Sequence, residues 1–444
     1  MSYHIPKSIY TYISFVYFFV AFTSFFPWTK LGFLDLDSDT QIYPLLFLLT
    51  GLIIGVFISK FLNIKIINIA SVDSRVKNFT VLILTASFLS IVSLFVIDDF
   101  NGGSIRALVP YLILAINFVF YIFIVDIRYS PAIQKACISA GLIWLLVSII
   151  QYFYNKEFLT WTVNRTVLTD DRGVIGLGSE PGYNATVLLV FFIVLYILNK
   201  KTMAFFLLIL IAFLTKHAVS VFITPFLLLS MYLAGKNINF KLFIKLIFCI
   251  VIAALLFYFL FVGLQYYNPD SRIVRLIRVI TESGIGTILS DGSLNTRLTH
   301  YVASIHGFFF NIFLPNGSNS WPAYVSEYSS RSLLFWNSGL HETDRINSGL
   351  GALLYESGIF GAVIIYYLYK LILFRTRGIF YNVFIFLVFC LFLLTLISIK
   401  QMFLYPLLFI YIMFSIKNSY LKCNRRDTIL TSSDFMKKCS QSKG

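Results

Sequence analysis

The chain has 444 residues, of which 58% are hydrophobic, 18% aromatic and only 12% charged, with a mean hydropathy of +0.83. A water-soluble domain carries about a quarter charged residues, so this composition excludes a soluble enzyme and puts most of the surface against lipid. The formal net charge of +15 would point to nucleic acid in a soluble protein; here lysines and arginines serve to orient helices across a membrane, and no nucleic-acid partner is expected.

The apolar runs, in chain order, cover residues 8–27, 42–59, 79–97, 107–125 and 137–154, then 182–198, 203–215, 218–233 and 246–264, and finally 346–369, 379–398 and 402–416. By the ~20-residue spanning criterion these make about twelve transmembrane helices. The runs are continuous, whereas strands of a membrane β-barrel alternate over about 10 residues. The predicted fold class is therefore an all-α polytopic membrane protein. The first run is too long for the apolar core of a signal peptide and lacks a convincing small-residue cleavage site, so it is read as a retained helix.

Charge sorts the connections. Lys60, Lys65, Arg75 and Lys77 follow the second run, Arg128 and Lys135 the fourth, Lys200 and Lys201 the sixth, and Arg375 and Arg377 the tenth. The opposite connections hold Asp35, Asp37, Asp39, Asp98 and Asp99. Placing the basic set inside puts both termini in the cytoplasm. Residues 1–416 then form one integral membrane domain, and residues 417–444 a basic cytoplasmic tail drawn to anionic lipid. Two extracytoplasmic connections are long, residues 155–181 and 265–345. The second is apolar enough to fold, with short helices packed on the membrane face. The five cysteines form neither a disulfide framework nor a metal-ligand spacing, and no internal repeat appears.

Polar residues cluster in a few places. In "DDRGVIGLGSEPGYNA", Ser179 suits a helix N-cap, with Glu180 and Pro181 in the first turn. A plain helix start at the interface accounts for Ser-Glu-Pro. It does not account for Arg165 and Arg172 upstream, nor for Gly173, Gly176 and Gly178, which let backbone amides approach a ligand. A helix N-terminus beside arginines is an anion site. In "NPDSRIVRLIRVI", Arg272, Arg275 and Arg278 share one face of an amphipathic helix on the membrane surface. They touch lipid headgroups there, or grip an anion. Arg297 and His300 in "NTRLTHYVASI" sit at the start of another helix.

In "GLHETDRINSGLGALLYESGIFGAV", His341 stands at the outer mouth of the tenth run and Asn347 begins it. Glu356 lies roughly 15 Å further along a continuous helix. A carboxylate in hydrocarbon faces a cavity or a partner; a structural hydrogen bond at a glycine-rich helix crossing is the plainer account. Lys216 interrupts a long apolar stretch in "LTKHAVS" and marks a hairpin tip or a cavity open to the outside. No nucleotide fingerprint is present. Cations, helix N-termini and carboxylates at one outer face suit a lipid-linked pyrophosphate, whose tail stays in the bilayer.

The stretches "RGVIGLGSEPGYNA", "NTRLTHYVASI" and "NSGLGALLYESGIFGAV" resemble segments of the bacterial O-antigen polymerase (Wzy) family, the oligosaccharide repeat-unit polymerases. About twelve spans, inside termini and a large late periplasmic loop extend the likeness over nearly the whole chain. The resemblance implies a glycosyltransferase of lipopolysaccharide biosynthesis in the bacterial inner membrane. A growing chain on undecaprenyl pyrophosphate would pass to the next lipid-linked repeat unit, with undecaprenyl pyrophosphate leaving. Arg172 and Arg297 would stabilise the leaving group, and Glu180, His341 or Glu356 would take the acceptor proton. Arg165, Lys216, Arg275, Arg278 and Asn347 are the candidate substrate-binding residues. No cofactor or metal is implied. The expected partners are undecaprenyl-pyrophosphate-linked oligosaccharide, membrane lipids and a chain-length-determining co-polymerase.

O-antigen ligases share this architecture but carry a histidine directly before the asparagine of the late helix, where this chain has Ile346. A lipid-linked-oligosaccharide flippase or transporter is the alternative of a different class. It would carry polar residues near the midplane of several helices, whereas charge here concentrates at one face.

Overall fold

The computed structural model describes residues 6–30, 41–61, 66–98, 102–164, 166, 173–215, 292–331, 346, 348–373 and 401–424, together with residues 262, 266, 274 and 278. The architecture is all-helical, and no strand occurs among the described residues. The first six helices are α1 (Lys7–Thr23), α2 (Tyr43–Phe61), α3 (Ile69–Val72), α4 (Ser74–Ile97), α5 (Gly102–Phe118) and α6 (Ser130–Phe153). They are followed by α7 (Pro181–Ile197), α8 (Lys201–Thr215), α9 (Gly292–Phe310), α10 (Trp321–Arg331), α11 (Gly349–Ser357), α12 (Ile359–Ile372) and α13 (Leu404–Asn424).

Among the described residues, four helical stretches are long and apolar enough to cross a membrane: Tyr43–Phe61, Ser74–Ile97, Ala107–Ile124 and Ile127–Phe153. Shorter apolar helices cover Pro181–Ile197, Lys201–Thr215, Ile359–Ile372 and Leu404–Lys417. The protein is a membrane protein on this evidence. The expected spans at 218–233 and 379–398, and all but residue 262 of that at 246–264, lie outside the described residues. The last helix runs to Asn424, past the boundary expected at 416; the remainder of the tail lies outside the described residues.

Local sequence sets the helix ends. The Asp73 side chain accepts from the amides of Arg75 and Val76 and caps α4, and Asn68 caps α3 through Ser71, each satisfying an amide that a helix start leaves open. Pro110 lies inside α5, which continues as a π-helical turn, Val119–Ile124. One expectation needs correcting. The run at 346–369 is two helices, α11 and α12, broken at Gly358. Gly358 has φ 55° and ψ −131°, a conformation glycine alone reaches without strain, and a Cβ there would press on the backbone of Phe313 and Leu314.

Packing defines two ends. At one, the Asp126 carboxylate accepts from the Ile67 amide at 3.1 Å and pairs with Arg128, and the Tyr10 hydroxyl donates to the Arg128 carbonyl. Helices α4 and α6 both start there, and 24 residues each carry them about 36 Å to the opposite end. At that opposite end Trp28 is almost fully buried, stacked on Tyr183 and against Trp144 and Phe403. The Lys30 amide donates to the Thr162 carbonyl at 2.7 Å, joining the connection after α1 to the one after α6. Helix α12 packs along α4, α7 on α6, α8 and α13, and α9 across α11. The Asp126 end thus gathers Arg75 and Arg128, and the Trp28 end gathers Asp98 and the start of α7, the same division that charge sorting predicts.

Candidate functional site

Two polar junctions lie at the Trp28 end. The first is the segment leading into α7. Its helix starts at Pro181 with Glu180 as N-cap, and the Glu180 side chain makes no capping bond. The expected Ser179 cap is therefore corrected by one residue. Proline holds the first helical position because its missing N–H is not needed there. Residues 173–179 are buried and Glu180 is half-buried.

The glycines of this segment serve packing. The Val174 amide donates to the Leu214 carbonyl, the Gly176 amide to Gln151 Oε1 at 2.7 Å and the Gly178 amide to the Ile175 carbonyl. Gln151 Nε2 returns a bond to the Gly176 carbonyl at 2.8 Å, and Asn184 Nδ2 donates to the Val174 carbonyl at 3.0 Å. Gly176 has φ +62°, and a side chain there would collide with Asn184 and Trp144. A Cβ on Gly173 would meet the Thr215 backbone. The amides of Val174, Gly176 and Gly178 are thus consumed inside the protein, which corrects the expectation that the glycines open them to a ligand.

The second junction surrounds the break at Gly358. The Glu356 side chain is only 8% exposed. Tyr111 of α5 donates its hydroxyl to Glu356 Oε2 at 3.1 Å and accepts from Ser357 Oγ at 2.6 Å. The Gly317 amide reaches the Glu356 carbonyl, and the Asn316 amide the Tyr355 carbonyl. Asp98, at the end of α4, accepts from the amides of Ser318 and Asn319 and from Ser318 Oγ. Glu356 therefore stands one loop residue from Asp98 at the end of α4, rather than far down an unbroken span. Burial at that place is tolerated because its backbone neighbours and carboxylate are hydrogen-bonded.

Helix α9 carries Arg297 and, one turn later, the fully buried His300. It crosses α11 through small residues: a Cβ on Gly307 would meet the Tyr355 ring, and Gly351 abuts Ser304. Ser348 caps α11 through the Gly351 amide at 3.0 Å. Around the crossing, Trp321 packs against His300 and Tyr355, and Ile346 joins the same apolar cluster. Tyr324 and His306 Nδ1 are hydrogen-bonded at 2.5 Å. Burial, then Tyr355, Tyr328 and Glu327, push the Tyr324 phenol up.

Of the candidate residues, Glu356 and the helix bearing Arg297 come together at the second junction, and Glu180 belongs to the first. Arg278 is half-buried. Arg165, Arg172, Lys216, Arg275, His341 and Asn347 lie outside the described residues. Tyr111 and Ser357 were not singled out from sequence, and Asp98 only as an acidic residue in a connection. Tyr111 follows Pro110 in an apolar run, and that proline is its local signal. No group of three or more potential metal ligands occurs among the described residues. No protein-family model matches the chain, and no curated protein matches it.

Proposed function

We propose that this protein is an O-antigen polymerase: a glycosyltransferase with about twelve spans, both termini cytoplasmic, acting at the periplasmic face of the bacterial inner membrane. One observation carries the reading. The three stretches that resemble the family are separated by more than a hundred residues of chain between the first and second. Yet the Ser-Glu-Pro segment, α9 and the Glu356 helix all occur at the Trp28 end of the bundle. On the charge sorting, that end is periplasmic.

In the proposed reaction an acceptor sugar hydroxyl attacks the anomeric carbon of the lipid-linked donor. The bond from that carbon to undecaprenyl pyrophosphate breaks, and its electron pair leaves with the pyrophosphate. Arg172 and Arg297 receive the charge on the leaving group, with Arg165, Lys216, Arg275 and Arg278 holding the phosphates and Asn347 the glycan. Glu356 takes the hydroxyl proton in this scheme, since Tyr111 holds its carboxylate in a buried hydrogen bond. Glu180 and His341 are the remaining candidates for that step. Ile346, in the place where ligases carry histidine, packs against apolar side chains, which supports polymerase over ligase.

Gel analysis of surface polysaccharide tests the reading. A deletion strain should carry lipid A core with a single repeat. Wild type should restore long chains, and Arg172→Ala and Arg297→Ala should not, despite normal protein levels in the membrane. A deletion in which no repeat reaches the core would assign the protein to ligation or flipping instead.

A further inference from the structure

The chain leaving α9 makes a tight turn through residues 309–314 that points its large apolar side chains outward. Phe310 is 74% exposed and Ile312 76%, and Phe309, Phe313 and Leu314 are exposed as well. An exposed apolar patch of this kind marks an interaction surface. The turn is also strained. Ile312 and Phe313 have φ of 50° and 64°, a region uncommon for bulky residues.

The backbone of this turn meets the main demand of a hydrocarbon environment, that polar groups be satisfied internally. Each amide from Asn311 to Leu314 is bonded to a backbone carbonyl of residues 307–311. The Asn311 side chain folds back on the carbonyls of Leu314 and Pro315. The turn is also continuous with the lipid-facing surface of the bundle. The Ile359 amide, first in α12, donates to the Phe313 carbonyl at 2.7 Å, and Gly317 lies against Ile97 at the end of α4. Phe95, Val96 and Ile97 of that membrane-crossing helix are exposed, and so is Ile359.

We infer that residues 309–314 are embedded among lipid acyl chains at the Trp28 end of the bundle, anchoring the α9–α10 hairpin in the membrane through a segment that is not itself a span. The inference goes beyond the polymerase reading and stands independently of it. It requires only that α4 and α12 face lipid. Its consequence for any reaction at Glu356 is that the junction is held at the lipid boundary, where the headgroup of a lipid-linked substrate lies.

Nitroxide labels at Phe310→Cys and Leu314→Cys, in the full chain with its five native cysteines replaced, test this in liposomes of phosphatidylethanolamine and phosphatidylglycerol. Collision with oxygen and with a water-soluble nickel chelate is measured at each label. Phe88→Cys on the exposed face of α4 gives the lipid reference and Glu157→Cys the aqueous one. Oxygen-to-nickel ratios at both test sites that match Phe88→Cys are expected. Ratios that match Glu157→Cys overturn the inference, and so does exclusion of both reagents, which would mean that a second copy or another protein covers the turn. Should the cysteine-free chain fail to fold, Phe310→Trp in the otherwise wild-type protein must show fluorescence quenched by brominated lipid beyond the wild-type level. No added quenching would equally overturn it.

Discussion

The two polar junctions at the Trp28 end are built from similar residues and do opposite things. The segment before α7 is rich in glycine, but its amides at Val174, Gly176 and Gly178 are bonded to Leu214, Gln151 and Ile175, and the space its glycines leave is filled by Trp144 and Asn184. The junction at Gly358 uses its glycine to break a helix just after Glu356, whose carboxylate accepts from Tyr111 of α5 and whose main-chain carbonyl accepts from Gly317 in the loop before α10. A glycine-rich turn beside arginines is therefore not in itself a backbone anion nest. In the proposed reaction the anion is therefore assigned to Arg165 and Arg172 and not to these amides. At the second, the proposed chemistry belongs to the inserted Glu356.

Mutations can break that contrast in order of expected effect. Glu356→Gln keeps the shape and the acceptor for Tyr111, so folded protein should persist in the membrane. Loss of the proposed base should slow repeat addition by about 10²–10⁴-fold, read as the rate of chain growth. Gly358→Ala forces a side chain into a disfavoured backbone region against Phe313. It should cost about 3 kcal/mol and appear as a lower melting temperature in detergent together with lost activity. Asn184→Ala leaves the buried Val174 carbonyl without its side-chain donor, a loss of roughly 1–3 kcal/mol. Stability should fall while chain growth per folded molecule stays near wild type, as expected of a packing junction. Tyr111→Phe removes one bond to Glu356 and one from Ser357. A stability loss of about 1 kcal/mol, with slower chain growth per folded molecule, would show that Tyr111 positions the carboxylate.

Much of this arrangement is legible in the sequence because it depends on local properties. Apolar runs locate α2, α4, α5 and α6, and charge sorting separates the residues found at the two ends. Glu356 stands out because acids are rare in apolar helices. The rest depends on contacts between distant segments. The break at Gly358 is stabilised by Phe313 and Leu314, more than forty residues upstream, so periodicity alone shows one continuous helix. Asp98 registers in sequence only as an acidic residue outside a span, yet its carboxylate organises Ser318 and Asn319. The glycines before α7 carry two readings, close ligand approach or close packing, and only the positions of Gln151, Trp144 and Thr215 decide between them.

The central claim is that this chain joins lipid-linked repeat units without a nucleotide sugar. Purified protein in liposomes, supplied only with undecaprenyl-pyrophosphate-linked repeat units, tests it most directly. The account predicts a ladder of lengthened glycans on a gel, with matching release of undecaprenyl pyrophosphate, and both formed far more slowly with Glu356→Gln. Folded wild-type protein that leaves the repeat units unjoined would contradict it.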